Sequence, residues 1–216
     1  ILFDGLTYAA WLFIVALGLT LVFGVLKILN IAHGSFYAVG AYTFGLMASP
    51  QLIDSFPAIK SLFPGGLHVP VWGAIFIGAG VAAIAGALLG APTLKLRGDY
   101  LAIVTLGFGE IVPIVARNWP YMTNGAIGLN GVTPPRLFGY SFGVDSEPFY
   151  YLGLLMIAAL IMISLRLQNS RIGRAWMAIR EDEIAASAMG INRVSLKLLA
   201  FAVGAGFGGM TGAFYV

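Results

Sequence analysis

Long uncharged stretches alternate with short polar connections along this chain. Residues 6–26, 34–53, 69–94, 148–165 and 198–216 carry no charge at all, and residues 100–116 carry only Glu110. A helix needs about 20 predominantly apolar residues to cross the hydrocarbon core of a bilayer. The pattern therefore predicts about six transmembrane helices, with Pro50 and Gln51 expected to end the second one early. The apolar runs are continuous and rich in Ala, Leu and Gly, which opposes the alternation of a β-barrel. The fold class expected is an all-α polytopic membrane protein. A signal peptide could imitate the first run, but Asp4 replaces a basic start and the run exceeds the usual 7 to 15 residues.

Composition sharpens this reading. Hydrophobic residues make up 59% of the 216 and charged residues 10%, with a mean hydropathy of +0.91. A soluble domain carries about 25% charge, so soluble and disordered classes are both excluded. No cysteine occurs, which removes disulfide frameworks, thiolate metal sites and cysteine nucleophiles. The net charge is +3. If the first helix starts outside, Lys27, Lys95, Arg97 and the six basic residues from Arg166 to Lys197 fall inside, leaving Lys60, Arg117 and Arg136 outside. Nine against three is a positive-inside bias. The basic cluster lies between two apolar runs, so topology explains it better than a nucleic-acid face, and no nucleic-acid partner is expected. Residues 54–68 and 119–147 are rich in Pro, Gly and Asn and read as the longer outer connections. Trp72, Trp119, Tyr121, Tyr150 and Tyr151 lie near those ends as interfacial anchors.

Small residues mark packing faces. Gly78, Ala82, Gly86 and Gly90 recur every fourth residue, as do Gly204, Gly208 and Gly212. Such stripes let helix backbones approach closely where the hydrophobic effect gives no drive to associate. Two junctions look irregular and suggest broken helices. Asn30 and His33 interrupt the first two apolar runs, and Gly98 and Asp99 precede the fourth, where Asp99 could cap the helix. Gly34, Ser35 and Tyr37 faintly echo Gly98, Asp99 and Tyr100, either as a trace of an internal repeat or by chance. Glu110 sits about 16 Å along its helix from Asp99, and a charged carboxylate at that depth costs about 2.5–3.5 kcal/mol. Its ordinary role would be a hydrogen bond fixing a helix break near Gly107, Gly109 and Pro113; a proton or substrate relay is the alternative. His33 reads as a capping or packing histidine.

Catalytic patterns are missing. There is no Gly-x-x-x-x-Gly-Lys-Ser/Thr phosphate loop and no His-Glu-x-x-His, and the two histidines, His33 and His68, fall on opposite sides in this topology. The chain is expected not to be an enzyme and to bind no cofactor or metal itself.

Residues 168–193 carry the most functional information. The stretch Arg174-Ala-Trp-Met-Ala-Ile-Arg-Glu-Asp-Glu-Ile-Ala-Ala-Ser-Ala-Met-Gly190 is rich in helix formers and ends on a glycine suited to a C-cap. Its mixture of basic and acidic residues favours docking on a soluble partner over lying on lipid.

These residues resemble the integral-membrane permeases of the branched-chain amino acid ATP-binding-cassette importers. The resemblance is carried by Leu19 to Gly34 (Leu-Thr-Leu-Val-Phe-Gly-Val-Leu-Lys-Ile-Leu-Asn-Ile-Ala-His-Gly), by Leu96 to Ile111 (Leu-Arg-Gly-Asp-Tyr-Leu-Ala-Ile-Val-Thr-Leu-Gly-Phe-Gly-Glu-Ile), and by the run from Arg171 through Met189-Gly-Ile-Asn. It covers nearly the whole chain. It implies a single permease domain over residues 1–216, incomplete at the C-terminus, with residues 168–193 as a cytoplasmic coupling segment. It implies a second permease subunit, two cytoplasmic ATPase subunits holding ATP and Mg, a periplasmic binding protein, and residence in the bacterial cytoplasmic (inner) membrane. By similarity, Ala185, Ala186 and Gly190 match the Ala-Ala-x-x-x-Gly part of the importer coupling motif, with Ile184 where that motif has Glu and Glu183 one place earlier. Arg180, Glu181, Asp182, Glu183, Ala185, Ala186 and Gly190 are the implied ATPase-coupling residues. Asn30, His33, Gly98, Asp99 and Glu110 are candidates for helix breaks or the pathway. Aliphatic amino acids follow from the resemblance alone; a urea or amide permease of the same family and an ATP-independent channel are the alternatives.

Overall fold

A computed structural model describes residues 2–27, 30–49, 56–57, 71–93, 96, 99–132, 136–137, 140–141 and 146–216. The long helices are α1 (Leu2–Leu26), α2 (His33–Ala48), α3 (Val71–Thr93) and α4 (Asp99–Asn118). A four-residue helix, α5 (Pro120–Thr123), and a 3-10 turn (Gly125–Ile127) follow. Then come a two-residue antiparallel pairing of β1 (Arg136–Leu137) with β2 (Tyr140–Ser141), α6 (Ser146–Gln168), α7 (Arg171–Glu181), α8 (Glu183–Ala188) and α9 (Arg193–Tyr215). The chain is an all-α polytopic membrane protein. Among the described residues α1, α3, α4, α6 and α9 are each long and apolar enough to cross a bilayer.

The second expected span is shorter than its apolar run. α2 stops at Ala48, and Ser49 is extended with φ −109° and ψ 157°. Pro50 is the cause, because a proline pushes the residue before it out of the helical region.

α9 is the central helix, flanked by α3, α2 and α1; α6 packs on α1, with Phe149 and Gly153 also meeting Phe214 of α9, and α4 packs on α2. The small-residue stripes make this possible. Cβ atoms added at Gly204 and Gly208 would meet Val22 of α1 and His33 of α2, and one added at Gly212 would strike the Tyr37 carbonyl of α2. The α3 stripe faces a neighbouring side of α9: Gly78 lies against Ala213, Ala82 against Gly209, Gly86 against Ala205, and Gly90 against Phe201. Gly40 of α2 meets the Gly209 backbone, where no side chain would fit. Van der Waals packing of backbones at this range supplies the association that apolar burial cannot supply in lipid.

The α1–α2 junction is re-entrant. Lys27 turns off the end of α1 with φ 52°, yet α2 begins level with the middle of α1. His33 Nε2 donates to the Val15 carbonyl at 3.0 Å, and Val15 lies about 17 Å along α1 from Leu26. Non-helical backbone survives at membrane depth only when protein covers and satisfies it. Here the Ile31 N–H donates to Thr105 Oγ1 of α4 at 3.2 Å and the Ala32 N–H to Asn30 Oδ1 at 3.1 Å. Asn30, Ala32 and His33 are buried.

α4 corrects one expectation. It runs unbroken through Gly107, Gly109 and Pro113. Pro113 has no N–H to give the Gly109 carbonyl, which would ordinarily be its helical acceptor. Ser35 Oγ of α2 supplies the missing donor at 2.8 Å. Ser35, and not Glu110, therefore stabilises α4 at this point.

Candidate functional site: the α7–α8 hairpin and the mid-membrane junction

α7 follows α6 after a tight turn. Ser170 Oγ accepts from the Gly173 N–H at 3.2 Å as an N-cap, and a Cβ on Gly173 would run into the carbonyls of Leu167 and Gln168. That close approach folds α7 back onto the bundle. Ile172, Trp176 and Ile179 share one helical face by their spacing of four and three. Trp176 is fully buried, and with Ile179 it packs against Val25 and Leu26 at the end of α1, Ala186 of α8 and Ala200 of α9. Its indole Nε1 donates to the Leu196 carbonyl of α9 at 2.8 Å. Arg180 Nη1 donates to the Gly24 carbonyl at 2.9 Å. Gly24 lies in the last turn of α1, where carbonyls lack helical partners and the helix dipole favours a cation.

The single helix expected to end at Gly190 is divided. Asp182 adopts φ −151° and ψ 110° and caps α8. Its Oδ1 accepts from the Ile184 N–H at 2.8 Å and the Ala185 N–H at 3.0 Å. Capping of the following turn by a short carboxylate competes successfully with continuing the helix. These two backbone donors hold the Asp182 carboxyl below the usual aspartate range. α8 ends in a Schellman turn: the Gly190 N–H donates to the Ser187 carbonyl at 3.0 Å and the Ile191 N–H to the Ala186 carbonyl at 3.1 Å. Gly190 has φ 83°, a conformation that suits glycine. Glu183 Oε1 pairs with Lys197 Nζ at 2.7 Å and Arg193 Nη1 at 3.5 Å, tying α8 to the first two turns of α9.

The seven implied coupling residues therefore separate by position. Arg180, Asp182, Glu183 and Ala186 hold the hairpin together or fix it to α1 and α9. Glu181, Ala185 and Gly190 lie on its free surface. That surface also bears Ile184 and Met189, 72% and 83% exposed, which sequence reasoning did not single out as contacts. A lone Ile and Met among helix formers give no periodic signal, and only the placement of Ala186 inward turns them outward. The role of Trp176 as the anchor was not visible locally, because it depends on a carbonyl 20 residues away.

At the junction, Asn30 and His33 come together with Ser35 and Thr105 around the start of α2. Gly98 lies outside the described residues, and Asp99 is the first residue of α4. Glu110 lies elsewhere, exposed on the side of α4 away from α2.

The family model for the branched-chain amino acid transport system permease component matches residues 1–216. This chain belongs to that permease family. The chain is 38% identical to the high-affinity branched-chain amino acid transport system permease protein LivM of Salmonella typhimurium, across 94% of this chain and 49% of that protein. The same values hold for LivM of Escherichia coli. It is 27% identical to LivH of Salmonella typhimurium, across 98% of this chain and 68% of that protein. The chain spans about half the length of the LivM relatives. No solved structure matches it.

Proposed function

We propose that this chain is the membrane-spanning permease subunit of an ATP-driven importer of branched-chain or other aliphatic amino acids, in the bacterial cytoplasmic membrane. It pairs with a second permease subunit. Two cytoplasmic ATPase subunits, which hold the ATP and Mg, grip the α7–α8 hairpin, and a periplasmic binding protein delivers substrate at the opposite end.

One observation carries the reading: the hairpin is anchored inward to two helices and presents Ile184 and Met189, beside Glu181, on its free side. Trp176, Arg180 and Glu183 connect it to both α1 and α9, while Ile184 and Met189 project from the free side. A push on those two residues would move α1 and the central helix α9 together. The hairpin also shares its end of the molecule with Lys27 and the six basic residues from Arg166 to Lys197, as positive-inside placement of a cytoplasmic element requires.

Transport in proteoliposomes containing the full-length chain and its partner subunits tests the proposal. Leucine uptake should require ATP, the ATPases and the binding protein together. Uptake indifferent to the ATPases would support a channel instead, and uptake of urea or amides in place of leucine would move the substrate assignment within the family.

A further inference from the structure

Glu110 stands on a face of α4 that no described helix covers. Leu101, Thr105 and Ala116 are buried, and Ser35 Oγ reaches the Gly109 carbonyl, so α4 turns this side toward α2. Glu110 lies about 150° around the helix from the centre of that side. Among the described residues it has neither a hydrogen-bond nor an ion-pair partner. Its flanks are aliphatic: Ile103 is 65% exposed, and Leu106 and Ile114 are about half exposed. Gly107, one turn before Glu110, has open space where a side chain would stand.

The depth of this face is fixed by its neighbour. Gly109 is level with Ser35, and Ser35 belongs to the first turn of α2, which starts at the middle of α1. Glu110 is therefore near the midplane. Ionisable residues at that depth avoid lipid, and face protein or a water-filled path that marks a substrate route.

We propose that this face of α4 lines the translocation pathway and that Glu110 receives the α-ammonium group of the passing amino acid, with Ile103, Leu106 and Ile114 against its aliphatic side chain. The proposal rests on the transport reading above. An aliphatic amino acid presents a cation beside a branched apolar chain, and the stripe presents a carboxylate beside branched apolar chains. The open position at Gly107 leaves room for the ligand. A lipid tail would complement the apolar residues but not the carboxylate.

These 216 residues contain no cysteine, so once any cysteines elsewhere in the transporter are replaced, single cysteines report without background. In the complete reconstituted transporter, Gly107→Cys and Ile103→Cys should react with water-soluble thiosulfonates, the cationic reagent several-fold faster than the anionic one of similar size. Glu110→Gln should erase that preference. The same substitution should lower leucine uptake by about tenfold, the scale of one charged hydrogen bond, while ATP hydrolysis continues; Glu110→Asp should keep part of the uptake. Labelling by membrane-soluble maleimide alone would mean that lipid or a partner helix covers the face, and would overturn the proposal. Wild-type uptake by Glu110→Gln would overturn it too. Failure of the unmodified complex to take up leucine with ATP would instead remove the transport reading beneath it.

Discussion

Trp176 concentrates much of what holds the hairpin. Its ring is enclosed by residues of α1, α8 and α9, and its N–H reaches the Leu196 carbonyl. Trp176→Ala should cost about 3–5 kcal/mol, as for other large aromatics removed from a packed site. Trp176→Phe keeps most of the ring contact and loses the donor, so about 1 kcal/mol is expected. Thermal unfolding in detergent should rank wild type above the Phe variant and the Phe variant above the Ala variant. Equal stability of the Ala variant and wild type would show that the hairpin is held elsewhere. Asp182 makes a prediction with a sign. Its carboxyl lies below the ordinary aspartate range because two backbone N–H groups stabilise the charged form. The cap therefore contributes at every pH above the unfolded-state value, and its contribution is lost as pH falls through the lowered folded value. Proteolysis of the α7–α8 joint should be unchanged between neutral pH and pH 5 and should rise only in stronger acid. Asp182→Asn, which keeps an acceptor oxygen, should abolish that pH dependence.

At the scale of elements, the helices were legible because lipid imposes a one-dimensional rule. An uncharged run of sufficient length must be a helix, and five runs became helices with ends within a few residues of expectation. Depth was not legible. Hydropathy reports how long a segment is and not where it starts, so nothing in residues 34–53 told that α2 begins at mid-membrane. Nor did Pro113 say whether α4 would break, because the remedy, Ser35 Oγ, sits on another helix 74 residues before Gly109. The glycine stripes showed which residues could pack but not their partners. The second α9 stripe (Ala205, Gly209 and Ala213), which receives α3, carries a single glycine and so has no glycine repeat to mark it. These contacts predict unequal effects for similar changes. Gly212→Ala and Gly40→Ala would drive a methyl into backbone of a neighbouring helix, and overpacking of this kind costs about 1–3 kcal/mol or more. Gly107→Ala meets nothing within 4 Å and should be neutral or slightly stabilising. Size-exclusion profiles after a heat step would check the contrast; a Gly107 variant as damaged as the Gly212 variant would contradict it.

Across the whole molecule, the hairpin and the re-entrant junction meet the same helices from opposite directions. α7 and α8 hold the C-terminal end of α1 and the start of α9 through Arg180, Trp176 and Glu183. His33 lies between the middles of the same two helices, donating to Val15 and lying against Gly208. In the proposed transport cycle, displacement of the hairpin would pass to α1 and α9 and, through His33, to the start of α2. The candidate coupling residues were legible as a group from their resemblance to a known motif, but their division into fixed and free members needed the fold. The most direct test places single cysteines at Ile184 and Met189 of the full transporter and treats membranes with a short bifunctional thiol reagent, with and without nucleotide. Both positions should cross-link to a cysteine in the ATPase subunit, with yields that change when ATP binds. Absence of any such product, together with labelling of both positions by an impermeant reagent added outside intact cells, would contradict the assignment of the hairpin as the ATPase-gripped element.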